Sequence, residues 1–509
     1  MAGWSDGYVT EIQYTGQFYP ELAPGYLAFC CLRQSIRPPA LGTGATYLEL
    51  GCGQGFGLNL LAAANPGMQF VGVDFNPAQI ANAARLAAEA GLSNVTFADD
   101  SFAQMLAAPD GRWPKCDVIA LHGVYSWVSV ENRAMIVQII DRLLKPGGLV
   151  YVSYNCLPGW SANAALQRFI QDHVAQGAGD LTTRIVTALK AAQEIQEGGA
   201  LYFKGAPSLK ARIAQALNRP PEYLAHEYLN LGSEPLFSAD VAGQMAGARL
   251  TLAASAGLAD DIVHLSAPAP LQPMIQGASD RTWRETLLDY ASNRVFRRDV
   301  FVRGVNPLTR EERDALLDAT PFALLVPAGD VGLDSTVPIG TLSGNPQVYR
   351  PVLDALADGP KTFRELLRLA QAREDVVLQA LTLLTGRRQI HPCVPDRAGA
   401  SAASFNRALL DRMAFGEIPS QLAAGGVGTG VDLKLEEVLA VSAHMAGEEA
   451  PRAMAHRGWD ILARTGRRLR KDGAVLEDQT ANEAELAQRI AEFTASRLPL
   501  LRDLGVLGT

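Results

Sequence analysis

A chain of 509 residues, 48% of them hydrophobic, has material for real cores and as a prior means two to four domains. Its net charge of −8, with 19% charged residues, argues against nucleic-acid binding by bulk electrostatics. No apolar run reaches the roughly 18 residues a bilayer span needs, so membrane insertion is not expected.

No Lys or Arg precedes Arg33, so a basic secretory leader is not expected. The six cysteines show no C-x-x-C spacing, which argues against a disulfide framework or a metal site. The expectation is a reduced, cytoplasmic protein.

From about 46 to 154, short apolar runs alternate with helical stretches, the pattern of a parallel sheet with right-handed crossovers. "TYLELGCG" is the first strand and "MQFVGVD" the second. The Ala-rich helix "PAQIANAARLAAEAG" has Pro77 in its first turn and Gly91 at its end. "NVTFADD" and "CDVIALHG" are the third and fourth strands; "ENRAMIVQIIDRLL" is a helix and "GLVYVSYN" the fifth strand. Residues 160–231 then read as helices broken by Gly and Pro. "RLTLAAS" and "VFRRDVFVRG" are strands that suit pairing at the sheet edge. Farther on, a capping box from Thr362 to Glu365 starts the middle one of three short helices. The tail is mostly helical, with Leu486, Ile490 and Phe493 on one face. We divide the chain into a core (1–159), a helical insertion (160–231), the rest of the core (232–305), a module holding three short helices (306–396) and a helical C-terminal region (397–509).

"LELGCGQGFG" follows the first strand and opens a helix. Gly51, Gly53 and Gly55 permit a sharp turn and a close backbone approach to a ligand, with Cys52 between them. A dinucleotide fingerprint is G-x-G-x-x-G; here the run is G-x-G-x-G, with Glu49 two positions before it. That E-x-G-x-G-x-G form resembles the first motif of class I S-adenosylmethionine-dependent methyltransferases, in which the loop approaches the amino-acid end of the cofactor. The second strand ends in Asp74, followed by Phe75, and a carboxylate there suits both ribose hydroxyls. By itself Asp74 does not separate the two readings. In the methyltransferase pattern an acidic residue after the third strand meets the adenine amino group. Asp100 is favoured, with Asp99 and Ser101 beside it.

Ligands of doubly wound sheets sit beyond the carboxyl ends of the strands. The fourth strand ends in "HGVYSWVS", bringing His122, Tyr125 and Trp127 there, and the fifth ends in "SYNCLPGW", bringing Tyr154, Asn155 and Trp160. Methyl transfer needs a neutral nucleophile about 3 Å from the methyl group. An apolar aromatic pocket favours the neutral form of an amine, and Tyr and Trp faces attract its cation by roughly 0.5–2 kcal/mol. Tyr125, Trp127, Tyr154 and Asn155 are therefore the acceptor-site candidates, and His122 is placed to orient the cofactor. Core packing is the competing role for each aromatic ring.

The combination "YLELGCGQG", "ALHGVYSWVS", "SYNCLPGW", "YLAHEYLN", "EPLFSADV" and "SRLPLLRDLGVL" resembles the bacterial methyltransferases that carry a methyltransferase regulatory domain. That group contains outer-membrane-protein lysine methyltransferases. The resemblance runs from about residue 10 to 507. It implies an α/β, Rossmann-like class I sheet with a helical insertion, a mostly helical C-terminal region in which the module 306–396 is winged-helix-like, S-adenosylmethionine as cofactor and S-adenosylhomocysteine as product. It implies a protein or peptide acceptor and leaves a homodimer open. Tyr14 near the N-terminus and Tyr223, His226 and Tyr228 in "YLAHEYLN" become substrate-site candidates, with Glu227 among them. The start "YTGQFYPELAP" departs from the Pro-rich beginning of the lysine-specific branch, so a small-molecule or peptide acceptor is the alternative. A non-catalytic scaffold is a third reading, opposed by the intact Glu49, Gly51, Gly53 and Asp74.

Two segments mimic other functions. "GGVGTG" (425–430) resembles a phosphate loop but is expected to be a flexible turn with no strand before it. The winged-helix-like stretch 351–395 carries six Lys/Arg and five Asp/Glu, a net +1 that is too weak for a phosphate-tracking surface.

Overall fold

The computed structural model describes residues 16–220, 224, 227–230, 232–393 and 402–508. Its centre is a seven-stranded sheet in the order β3-β2-β1-β4-β5-β7-β6. The strands are β1 (Thr46–Leu50), β2 (Gln69–Val73), β3 (Val95–Ala98), β4 (Cys116–Leu121), β5 (Leu144–Asn155), β6 (Leu250–Ser255) and β7 (Phe296–Arg303). β1 to β5 are parallel, and β1 is buried along its whole length, as strands covered on both faces must be. The chain order reverses between β1 and β4, which places a crevice above their carboxyl ends. β7 and β6 return from beyond the helical stretch and add antiparallel at the edge, β7 on β5 and β6 on β7.

Helices α1 (Pro24–Arg33), α2 (Phe56–Ala64), α3 (Pro77–Glu89), α4 (Phe102–Ala107) and α5 (Val130–Leu143) complete the core. α3 starts as its sequence dictates: Asn76 accepts from the backbone N–H groups of Ala78 and Gln79, and Pro77 occupies the first turn. Two hydrophobic layers cover the sheet. One contains α5 and the helix Ser238–Ala246. The other is continuous from Phe18 through α1 and α2 into residues 317–393 and on to Leu507.

Helices Ser161–Gln176, Leu181–Glu197 and Ser208–Leu217 form a separate lobe with its own core around Ile170, Ile185, Leu189 and Ile213. Downstream, helices Pro346–Ala357, Phe363–Ala370 and Glu374–Gly386 are followed by Ile390–Pro392, which pairs antiparallel with Phe322–Leu324. Thr362 and Glu365 make the expected reciprocal cap, and Leu486, Ile490 and Phe493 are buried together. The reading of "GGVGTG" as a turn with no strand before it is corrected. Gln421–Ala424 precedes it and pairs with Thr429–Asp432, so the glycines turn a hairpin that packs on α2. The short, small-residue strands lack the alternating apolar pattern that marks a strand in sequence.

Candidate active site

A cavity of about 770 Å³ opens above the carboxyl ends of β1, β2, β4 and β5. The glycine loop forms its floor. Gly51, Gly53 and Gly55 all have positive φ, at 75°, 54° and 65°. A side chain at Gly51 would have its Cβ 2.5 Å from Val124 Cγ2, so the loop can lie against the end of β4 only without one.

Two buried carboxylates rise beside this loop. Asp74 accepts from the backbone N–H groups of Gly53 at 3.0 Å and Asn76 at 2.9 Å. Burial still lifts its carboxyl above the usual range. Glu49 is pushed up to about 8, by burial first and by the charge of Asp74 second. No hydrogen-bond partner for its side chain is seen among the described residues. Both are desolvated acceptors facing a cavity, which fits a ligand that brings hydroxyl and amino donors. Cys52, Phe75, Asp100, Ser101 and Phe102 continue the wall. Asp100 pairs with Arg112, and Ser101 caps α4. Asp99 is exposed and does not line the cavity, so of the two neighbouring aspartates only Asp100 faces it.

The strand ends divide by direction. His122, Trp127, Asn155 and Trp160 line the cavity. His122 Nδ1 lies 2.9 Å from the Tyr151 hydroxyl, and its ring stacks on Tyr19 with centroids 3.6 Å apart. Burial disfavours its imidazolium more than the negative Glu21 favours it, and its pKa falls to about 4, so the ring is neutral at pH 7. The placement of Tyr125 and Tyr154 at the acceptor is corrected. Both are fully buried on the other side of the strand ends. Tyr125 donates to Gln244 Oε1 at 2.6 Å and Tyr154 to Asp299 Oδ2 at 2.5 Å. Each hydroxyl is satisfied in the core, as a buried Tyr requires. Tyr228 is likewise corrected: it packs in the core of the helical lobe, 3% exposed, and is not in the cavity wall. Tyr14, Tyr223 and His226 lie outside the described residues.

The far end of the cavity joins Asn155, Trp160 and Glu227, which their motifs mark, to Glu21, Arg212, Phe296 and Arg298, which no motif marks. Glu21 is 7% exposed and accepts from Arg298 Nη1 at 3.2 Å. Burial raises its carboxyl, but Arg298 first, then His122, a backbone hydrogen bond and Arg388 together outweigh it and leave Glu21 below the usual range, hence ionised. Arg212 from the helical lobe lies 4.3 Å over the Trp160 ring and pairs with Glu227 at 2.7 Å. Phe296, Asn155 and Asn230 complete this end. Only a partner far along the chain gives Glu21, Arg212 and Arg298 a place in the site, so sequence spacing could not reveal them.

A family model described as "Methyltransferase domain" matches residues 41–199, and one described as "Predicted methyltransferase regulatory domain" matches 220–303. An uncharacterised protein of Synechocystis sp. is 36% identical over 512 residues, covering 99% of both chains. An uncharacterised protein of Rickettsia prowazekii is 26% identical over 293 residues, 56% of this chain and 51% of its own. Among solved structures, PKMT2 from Rickettsia typhi in complex with AdoHcy superposes with a TM-score of 0.73 at 19% identity, over 97% of this chain and 99% of that one.

Proposed function

The chain belongs to the family of S-adenosylmethionine-dependent class I methyltransferases that carry a methyltransferase regulatory domain, and from that premise we propose that its methyl acceptor is the side-chain amine of a protein lysine. The observation that carries this reading is the lining that one cavity shares: the ionised, buried Glu21, paired with Arg298, together with the rings of Tyr19, Trp160 and Phe296. Aromatic faces and one carboxylate attract an ammonium group on a long apolar stem. Its stem fits the apolar wall, as lysine stems do on protein surfaces.

The donor, when bound, supplies an electrophilic methyl group on a sulfonium. Asp74 is the partner for ribose hydroxyls, Asp100 for the adenine amino group, and Glu49 with the loop of Gly51 and Gly53 for the amino-acid end. Desolvation among the rings lowers the acceptor's pKa, so its proton passes to solvent and leaves the neutral amine. The Asn155 carbonyl oxygen accepts one amine N–H and so aims the lone pair. Neutral His122, stacked on Tyr19, keeps a positive charge away from the sulfonium. Holding the two reactants in line at about 3 Å supplies most of the rate, because the transfer needs little covalent help.

A second reading, methylation of a small zwitterionic molecule or peptide terminus, draws on the two carboxylate–guanidinium pairs at this end, Glu21 with Arg298 and Glu227 with Arg212. One assay separates the readings. The purified protein is incubated with methyl-labelled donor and a bacterial lysate, with Asp74→Ala as control, and protein is separated from small molecules. Base-stable label in protein that maps to lysines supports the first reading. Label only in the low-mass fraction supports the second, and label in neither sinks both.

A further inference from the structure

The roof of the cavity is the segment 16–22. It is extended at Tyr19, with φ −114° and ψ 109°, so neighbouring side chains point opposite ways. Tyr19 faces the cavity and stacks on His122, whereas Phe18 faces away and is fully buried. Behind Phe18 stands the C-terminal hairpin. Gln421 Oε1 accepts from Phe18 N at 3.1 Å, and Gln421 Nε2 donates to Phe18 O at 3.3 Å and to Asp432 Oδ1 at 2.7 Å. One side-chain amide thus pairs with both backbone groups of Phe18, as a neighbouring strand would, from 403 residues away in the chain. The approach is close: a Cβ on Gly430 would sit 2.8 Å from the Phe18 ring. Asn65, at the end of α2, donates to the carbonyl of Gly428 at 3.0 Å and ties the hairpin to the helix that the glycine loop opens.

We infer that the C-terminal hairpin is the clamp of the donor-site roof, with Gln421 as a positioning residue that fixes segment 16–22 over the glycine loop through the backbone of Phe18. The inference rests on the donor assignment above. It gives the C-terminal region a role in the site that none of the glycine-loop residues supplies. Gln421 touches neither donor nor acceptor, so its effect is on donor affinity and not on the transfer step.

The test uses the full chain and reads donor-product affinity by calorimetry with S-adenosylhomocysteine. Gln421→Met keeps the length and removes all three hydrogen bonds. Gly430→Ala keeps the hydrogen bonds and displaces Phe18. Each is expected to raise Kd roughly tenfold while Tm falls by less than about 3 °C, because so local a loss moves the melting of a chain this long only slightly. In turnover, KM for the donor rises and kcat at saturating donor stays nearly constant. Glu417→Ala, an exposed change beside the hairpin, leaves Kd unchanged. Folded variants with wild-type affinity would overturn the clamp. Should neither variant fold, hydrogen exchange of the wild-type Phe18 N–H decides: protection without ligand supports the clamp, and exchange at the unfolded rate refutes it. Wild-type protein that binds no product would sink the methyltransferase reading instead. The Phe18 exchange, read without ligand, still judges the clamp.

Discussion

Glu49 and Asp74 are desolvated together on adjacent strands, and only Asp74 receives backbone N–H groups in return. Glu49 is raised to about 8, so between about pH 4.5 and 8 the folded chain holds a proton that the unfolded chain has lost. Folding stability from this group therefore declines as pH rises through that window and is level above it. Gln cannot titrate. The Tm of Glu49→Gln should exceed that of the wild type by a margin that grows from pH 5 to pH 8, while its donor affinity drops at least about tenfold. A margin independent of pH would refute the assignment. At the same scale, Arg297 is fully buried among Glu285, Asp289 and Asp299. Arg297→Leu leaves those carboxylates uncompensated and should cost about 3–5 kcal/mol in urea unfolding. Glu49, Gly51 and Asp74 were legible because their spacing is itself the chemistry. Tyr154 was not, because alternation in β5 sends it and Asn155 to opposite sides, and Tyr125 was not, because it lies in the turn beyond β4, where no strand period applies.

The helical lobe 161–217 buries its apolar face within itself, apart from the two layers that cover the sheet. Elements that share few contacts with the main core open more readily than the core does. Amide exchange should be faster in Leu181–Glu197 than in β1 or β4 by orders of magnitude. Donor and acceptor together should slow it, since Arg212 and Glu227 carry the lobe into the cavity wall. Equal protection of lobe and sheet would contradict this. A smaller effect belongs to the cap of the helix Arg310–Asp318: Thr309 and Glu312 satisfy each other's backbone, and Thr309→Ala should cost about 1 kcal/mol in the same unfolding experiment. Caps, β1 to β5 and the edge strands β6 and β7 were readable because each has a local pattern. The hairpin at 421–432 was not, because its strands are too short and too poor in large apolar residues to show a period of two.

At the scale of the molecule, one apolar layer runs from Phe18 to Leu507 without a break, so the C-terminal residues are part of the core that holds α1 and α2. A chain ending before residue 402 would expose that layer. It should lose near-UV circular dichroism and bind ANS, whereas the intact protein should melt with Phe18 and Leu501 in one transition. A soluble, well-ordered truncation would refute that dependence. The sequence by itself determined the sheet, its crevice and the glycine loop with Glu49 and Asp74 in the cavity wall. Those follow from local periods and from a loop whose glycines must sit within a few positions of one another. Only the tertiary structure decided the far end of the cavity and its roof. Glu21, Arg212, Arg298 and Gln421 come from four distant segments. Their charges and amides acquire meaning only when the packing of the sheet, the lobe and the C-terminal hairpin brings them within hydrogen-bond distance of their partners.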